Sequence, residues 1–532
     1  METAERKRVD SESVLKRWFR NIPKHSRFAF LSSFFVGLLV HLYMLTNKFP
    51  NHDDIAGMFT SIDFTRYGRW LSKFFTQINT NLSMPWVNGV IALLFAAVIA
   101  ALIVSILKIR RPLFAALTGA VVACTPFMAN TFTYMSGADV FLIAVFFSVL
   151  GVFFLDRNKY GFIVAAVLFT VTLAIYQGMV LFAIALMAIR LLQKALDPNQ
   201  SDREILLSTL RYVLTIAIAA LLYVGLTKLI LFLSSADLNY QNTAEILSPK
   251  LSELPQRLLQ CYIQFARYAF GRTPYFNTRW MLGLFLLIVF AFCLLVVLLL
   301  LQNKRLKKWR MAFAALLLLL LPVAFNSAYL TAGYAHILML HPLTMLFIGL
   351  IALFCQYADT ITPESGRTLR FLSVFGSWFV VVAMVACCYS WALYSNQVYF
   401  TLQRKFDACY SLSTRIVDRV EQLPEYTSDT PILIVGDFSE GNYPLAVPEA
   451  IDGLPYSVGI GESSEFYYMK GYWGTVHNFI AAYLGVHWNM PDSETVQKIV
   501  DETNDFSGFP AFPSEGSVRY LDGVIIVIGS AS

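Results

Sequence analysis

Long apolar runs alternate with short charged clusters along most of this chain. The first run covers residues 28–45, and comparable runs follow as far as residue 395. Roughly twenty apolar residues are enough for a helix to cross a bilayer, so we count about eleven spans. The pattern predicts a mostly α fold, in which a polytopic membrane helix bundle occupies residues 28–395.

The charged clusters predict which side of the membrane each segment faces. Basic residues crowd into residues 1–27 and 303–310. Cytoplasmic loops carry an excess of lysine and arginine, so both segments are expected inside, and residues 46–85 and 234–278 are expected to form outer loops. An odd number of spans that starts inside ends outside, which places residues 396–532 on the extracytoplasmic face.

Residues 396–532 differ in composition from the rest of the chain. They hold 18 of the 35 acidic residues but only 7 of the 41 basic residues. The last span is expected to end near residue 394, and a helix that ends at Leu423 is expected to open this region. The β-branched runs at 431–436 and 521–528 predict two short buried strands. We therefore expect a small extracytoplasmic α/β domain. Since no nucleophile motif or glycine-rich phosphate loop stands out in it, we expect it to position an acceptor.

Composition excludes several classes of protein. The chain is 57% hydrophobic, with a mean hydropathy of +0.58, which is not the composition of an ordinary soluble domain. The basic residues lie in short clusters between spans, so no nucleic-acid partner is expected. The seven cysteines show no metal-binding spacing, and His336 and His341 are expected to be hydrogen-bonded within the bundle.

Residues 47–78 combine two adjacent carboxylates with a helical pattern. Asp53 and Asp54 follow the first span, and apolar residues from Ile55 onward recur at helical spacing with charged residues mostly on the other side. This pattern is typical of a helix that lies in the membrane interface. An acid pair at the bilayer edge suits chemistry on a lipid head group, although an aspartate before a helix is also a common N-cap.

The acid pair and Gly68-Arg69, which follows it, resemble the first extracytoplasmic loop of the GtrII-type glucosyltransferases. The resemblance implies a bacterial multi-pass enzyme of the GT-C class in the cytoplasmic (inner) membrane. Its donor would be a sugar, glucose in this family, carried on a polyprenyl phosphate. Its acceptor would be a cell-surface polysaccharide such as O-antigen, or a glycolipid.

Two further segments are similar to the same family. The third span ends in a sequence that contains Tyr134 and Asp139, and the fifth ends in Tyr176-Gln177. The resemblance implies that these residues contact substrate. The alternatives are that Asp139 caps the fourth span and that Tyr176 is an ordinary interface anchor.

The resemblance also implies individual roles in the acid-pair loop. Asp53 and Asp54 take the catalytic role, and Arg69 takes a donor-binding role. Many relatives have an arginine shortly after the acid pair, where this chain has Ile55-Ala56-Gly57. Arg66 or Arg69 would have to substitute for it.

Glycosyl transfer to a hydroxyl needs a base for the acceptor and a counter-charge for the leaving phosphate. A carboxylate within hydrogen-bond reach can act as the base, and repulsion within the pair can leave one pKa raised. The pair could instead share a divalent cation such as Mg²⁺ or Mn²⁺. Arg267 and Arg272 in the second predicted outer loop run against the charge bias, so they either bind a lipid phosphate or are simply solvated.

Two rival functions remain at this point. A polysaccharide polymerase or ligase would share the lipid-linked substrate and the outer site, and the long loop at 234–278 suits such an enzyme. A multi-pass transporter is less favoured, because the chain has no internal repeat and most charges lie at span ends.

Overall fold

The protein is described here by a computed structural model, which describes residues 11–56, 64–76, 84–157, 159–234, 251–271, 273, 276, 278–302, 307–335, 337–436, 438, 475–504 and 506–529. Helices dominate these residues. In chain order they are α1 (Ser11–Asn21), α2 (Lys24–Thr46), α3 (His52–Ala56), α4 (Ser72–Thr76), α5 (Pro85–Ile106), α6 (Pro112–Cys124), α7 (Pro126–Thr133), α8 (Ala138–Arg157), α9 (Gly161–Ile175), α10 (Val180–Leu196), α11 (Asp202–Ser234), α12 (Leu254–Phe270), α13 (Arg279–Gln302), α14 (Lys308–Phe325), α15 (Ala328–Ala332), α16 (Thr344–Ala358), α17 (Arg367–Glu421), α18 (Thr475–Leu484) and α19 (Ser493–Glu502).

The membrane helices follow the apolar runs of the sequence. Ten of the described segments are long and apolar enough to cross a bilayer, and α9 is a shorter apolar helix of 15 residues. The third span consists of α6 and α7, which meet at Thr125 because Pro126 opens a new helix. The predicted fold class, a polytopic helix bundle followed by a small α/β region, is confirmed.

Small residues allow close approach of neighbouring helices in the bundle. Helix α6 packs against α2 at Gly119, where a Cβ atom would lie 2.2 Å from the backbone oxygen of Ala29. Such contacts substitute for the hydrophobic driving force that helices lack inside a lipid bilayer.

The last span continues without a break into the region that follows it. A boundary was expected near residue 395, but α17 runs through 55 residues. Residues 395–421 contain no glycine or proline to end the helix. At about 1.5 Å per residue the helix is ~80 Å long, so much of it extends beyond a bilayer core of about 30 Å.

A three-stranded sheet forms the centre of the C-terminal region. The two predicted strands are present as β1 (Ile432–Val435) and β3 (Val524–Ile528), which pair in parallel. The sequence analysis missed β2 (Val518–Leu521), which pairs with β3 in antiparallel fashion. Alternate residues of β1 and β3 pack on opposite faces, one facing α17 and α18 and the other facing α19.

The predicted interfacial helix of residues 55–78 is wrong in the part that the structure describes. Residues 64–67 form a 3₁₀ turn, Gly68 has a positive φ of 72°, and α4 begins only at Ser72. A backbone with positive φ ends a right-handed helix, so the apolar pattern is divided between short segments. We call residues 47–84, of which 57–63 and 77–83 lie outside the described residues, the acid loop.

Candidate active site

Asp54 links the acid loop to the turn that precedes α8. Its Oδ2 accepts a hydrogen bond of 3.2 Å from the Asn51 backbone N–H, and the Asn51 Oδ1 accepts one of 3.0 Å from the Asp54 N–H. This reciprocal pair is a capping box for α3. The Asp54 Oδ1 accepts a further bond of 2.9 Å from the backbone N–H of Ser136. Asp54 therefore holds α3 in place.

The two carboxylates of the pair lie in different environments. Asp53 is exposed, whereas Asp54 is only 3% exposed. Burial raises the pKa of Asp54 above its ordinary value of 3.8, the hydrogen bonds from Ser136 and Asn51 oppose the rise, and the charge of Asp53 adds to it. A raised pKa for one member of the pair was predicted, but its main cause is burial and not repulsion.

Arg69 and the Tyr176-Gln177 pair are brought together by the fold. The Arg69 guanidinium lies over the Tyr176 ring, 4.1 Å from its centre, and the Arg69 Nε donates a 3.2 Å hydrogen bond to the Gln177 Oε1. Burial raises the pKa of Tyr176, Arg69 opposes the rise, and the charges of Tyr334 and Asp53 add to it. The acid pair, the arginine and the tyrosine therefore share one end of the bundle.

Gly68 allows this arrangement. The Gln177 Nε2 donates hydrogen bonds of 2.8 Å to the Tyr67 carbonyl and 2.9 Å to the Tyr223 hydroxyl, which in turn donates one of 3.1 Å to the Gly68 carbonyl. A Cβ atom at Gly68 would lie 2.5 Å from the Tyr223 hydroxyl. A side chain at residue 68 would therefore push Arg69 away from Tyr176 and Gln177.

The C-terminal region covers the acid pair's helix. Ile55 is fully buried in one cluster with Ile416 of α17 and Phe479 of α18. The hydroxyl of Tyr483, also on α18, has no hydrogen-bond partner among the described residues. Burial raises the pKa of Tyr483, and the charge of Asp54 raises it further. The C-terminal region and the acid pair consequently lie on the same side of the bundle.

The other predicted site residues are more scattered. Arg66 is exposed in the 3₁₀ turn, Tyr134 is buried where α7 ends, and Asp139 is fully buried in the first turn of α8. Arg267 is exposed on α12, and Arg272 lies outside the described residues. A substrate contact for each of these residues stays a prediction.

Sequence reasoning missed several residues of this region. Ser136 and Ile55 act through contacts between segments far apart in the chain, which no local pattern reveals. Asn51 pairs with Asp54 three residues later, but the sequence analysis did not single it out. Tyr223 lies on α11 and was read only as part of a span. The one available signal was Gly68, because a glycine within a helical pattern often marks a break.

The acid pair fits a metal ion poorly in this arrangement. Both oxygens of Asp54 already accept backbone hydrogen bonds. Among the residues that the structure describes, no three His, Cys, Asp or Glu side chains form a group that could hold an ion. The His341 Nδ1–H donates a 2.8 Å hydrogen bond to the Leu338 carbonyl, and the ring packs between Phe127 and Phe182, as expected for a histidine bonded within the bundle. His336 lies outside the described residues.

Comparison with known proteins identifies the family. A family model described as "Glucosyl transferase GtrII" matches residues 42–354, more than half of the chain. The match includes the acid loop and Tyr176-Gln177 and ends before α17. Searches of curated proteins and of solved structures gave no significant match. The chain therefore belongs to the GtrII glucosyl transferase family and is a glycosyltransferase.

Proposed function

We propose that this glycosyltransferase is of the GT-C type and moves glucose from a polyprenyl phosphate to a cell-surface polysaccharide or glycolipid on the extracytoplasmic face. One observation carries the proposal. The carboxylate of Asp53 is exposed and lies beside the buried carboxylate of Asp54, which holds α3 in place. At the same end of the bundle, the Arg69 guanidinium stacks on the Tyr176 ring. This arrangement supplies a base and a phosphate partner together.

In the proposed reaction, Asp53 acts as the base and Asp54 as its positioning residue. The acceptor hydroxyl oxygen forms a bond to the anomeric carbon of the sugar, and the bond from that carbon to the phosphate oxygen breaks. The hydroxyl proton passes to Asp53, and polyprenyl phosphate leaves with the electron pair. Asp54 cannot easily take the proton from a substrate, because it is buried and hydrogen-bonded through both oxygens.

Arg69 is the proposed partner of the donor phosphate. A guanidinium has five N–H donors, so the bond from its Nε to Gln177 leaves donors for phosphate oxygens. Stacking on Tyr176 fixes the plane of the guanidinium, and a fixed plane favours two-point phosphate binding. A divalent cation, Mg²⁺ or Mn²⁺, at the acid pair is the alternative, and the bonds to Asp54 disfavour it.

The C-terminal region is proposed to form part of the acceptor site. It lies outside the residues that match the family model, yet it packs on the helix of the acid pair through Ile55. The side of the membrane on which the C-terminal region lies can be tested with a cysteine introduced at the exposed Glu494. An impermeant maleimide should label it from outside in intact spheroplasts, and labelling only after the membrane is opened would contradict the proposed orientation.

A donor panel tests the proposed reaction. Purified full-length protein is incubated with polyprenyl phosphates that carry glucose, galactose or N-acetylglucosamine, and release of free polyprenyl phosphate is followed. Glucose is expected to be used fastest, at a rate that rises when polysaccharide acceptor is added. Turnover of pyrophosphate-linked oligosaccharide only would indicate a polymerase or ligase, and no turnover of any lipid-linked sugar would contradict the proposal.

A further inference from the structure

A polar cavity lies at the other end of the bundle from the acid pair. It has a volume of about 500 Å³ and is lined where α5, α8 and α10 end and α11 begins. Helix α8 connects the two ends, because it starts next to Ser136 and ends at Arg157. Its 20 residues span about 30 Å. The cavity is therefore separate from the candidate active site.

Five basic and two acidic side chains line this cavity. Both acidic side chains have other partners. Asp156 is bonded to Arg190, to Lys194 and, at 3.1 Å, to the Tyr212 hydroxyl. The Glu204 Oε2 accepts a hydrogen bond of 3.2 Å from the Ser201 backbone N–H and so completes a capping box at the start of α11.

The remaining three basic side chains leave the cavity with an excess of positive charge. No carboxylate lies within ion-pair distance of Lys108, Arg157 or Arg211 in the part of the chain that the structure describes. The cavity floor adds Arg190 and Lys194, only 6% and 8% exposed. Several cations held around one concave space at fixed positions are the arrangement that phosphate groups bind.

We propose that this cavity binds a phosphate-bearing ligand, and that an anionic phospholipid head group is its source. The volume is within the range of about 300–1,000 Å³ typical of ligand sites and exceeds that of a bare phosphate. Apolar Phe153 and Leu207 also line it. Leu207 belongs to the exposed apolar surface of α11, which in a bilayer faces lipid. A head group could enter the cavity while its acyl chains remain in the membrane.

Lipid binding to the full-length protein tests this proposal. Detergent-solubilised protein is titrated with short-chain phosphatidylglycerol and, separately, with zwitterionic phosphatidylcholine, and bound lipid is counted by native mass spectrometry. Arg157→Gln combined with Arg211→Gln should weaken phosphatidylglycerol binding by at least about tenfold, because the double variant loses two cations that can form charge-assisted hydrogen bonds to the phosphate. Binding of phosphatidylcholine should be weaker and change less. Neither arginine forms an ion pair with another described residue, so the double variant should keep the wild-type unfolding temperature without lipid.

Arg370→Gln is the matched control, because Arg370 is an exposed arginine of α17 that does not line the cavity. If inorganic phosphate competes with phosphatidylglycerol, the site is supported and soluble phosphate compounds also enter it. If phosphatidylglycerol binds without such competition, the ligand is a lipid head group alone. Unchanged phosphatidylglycerol affinity in the double variant, or an equal loss in Arg370→Gln, would overturn the proposal. Sugar transfer is not measured, so the result is independent of the proposed reaction.

Discussion

The guanidinium of Arg69 lies 4.1 Å from the centre of the Tyr176 ring. This contact joins the acid loop to the turn between α9 and α10, and a backbone hydrogen bond of 3.1 Å from Leu71 to Ala174 supports it. A cation over an aromatic face is attracted by the ring, and the planar guanidinium stacks there as an ammonium cannot. Gly68-Arg69 and the Tyr176-Gln177 pair are thus one structural unit.

Arg69→Lys should therefore impair the enzyme although the charge is kept. The lysine loses the stack on Tyr176 and the bond to Gln177, so we expect KM for the donor to rise about tenfold with a smaller change in kcat. Steady-state kinetics with varied donor would measure this. Lys73→Gln, which removes an exposed cation of α4, should leave KM unchanged, and an equal rise in both variants would refute a specific role for Arg69.

The acid pair should respond unequally to loss of charge. Asp53→Asn should lower transfer by roughly 10²–10⁴-fold, the usual contribution of a general base, and leave the unfolding temperature unchanged. Asp54→Asn should lower transfer because α3 is misplaced. It should also change the unfolding temperature, because the new amide NH₂ would face another donor, the backbone N–H of Ser136 or Asn51. Transfer at the wild-type rate by a folded Asp53→Asn protein would exclude Asp53 as the base. Chelator that mimics Asp53→Asn would favour the cation alternative.

The raised pKa of Asp54 predicts how stability depends on pH. The folded state binds the Asp54 proton more tightly than the unfolded state, so this group stabilises the fold at low pH. That contribution is lost as pH rises from about 3.8 through the folded pKa. Melting curves between pH 4 and pH 7 should therefore show wild type losing stability relative to Asp54→Asn as pH rises. If the unfolding temperatures of the two proteins changed with pH in parallel, the raised pKa of Asp54 would be contradicted.

Gly68→Ala should disturb the candidate donor site. The backbone there has a φ of 72°, and the new methyl would lie 2.5 Å from the Tyr223 hydroxyl. We therefore expect the free energy of unfolding to fall by about 1–3 kcal/mol and donor binding to weaken. Gly225→Ala on α11 is the control, because nothing lies within 4 Å of its added Cβ. Activity and unfolding temperature of both variants would be compared. A Gly68→Ala protein as active and as stable as Gly225→Ala would show that the close approach is not needed.

Ile55→Ala should loosen the C-terminal region from the acid loop. Removing buried methyl groups typically lowers the free energy of unfolding by about 2–5 kcal/mol. Here the weakened contact is the one between Ile55 and helices α17 and α18. Hydrogen exchange of residues 475–484 should become faster, and acceptor-stimulated transfer should fall more than donor hydrolysis. Ile163→Ala, at a site 55% exposed on α9, should change neither. Loss of both activities in proportion would instead place the C-terminal region in the chemistry of donor cleavage.

The membrane helices and the two main strands could be predicted because each is a continuous run with its own composition. Three features could not. Strand β2 is short and mixed in polarity, and α17 lacks any stop signal at the membrane boundary. The link from Asp54 to Ser136 joins residues 82 positions apart in the chain. The basic cavity was also hidden, because its residues come from four separate span ends whose charges predicted only a membrane side.

Burial of Ile55 by α17 and α18 has a consequence for biosynthesis. The residues that cover it begin at Cys409 and continue to Val527, so Ile55 leaves the ribosome long before its partners exist. At ~5–20 residues per second the interval is roughly 20–70 s. Throughout that time an isoleucine next to the acid pair lacks the cover that α17 and α18 later supply. The candidate site is therefore completed only after residues 409–527 have been made and pack on the helix of the acid pair.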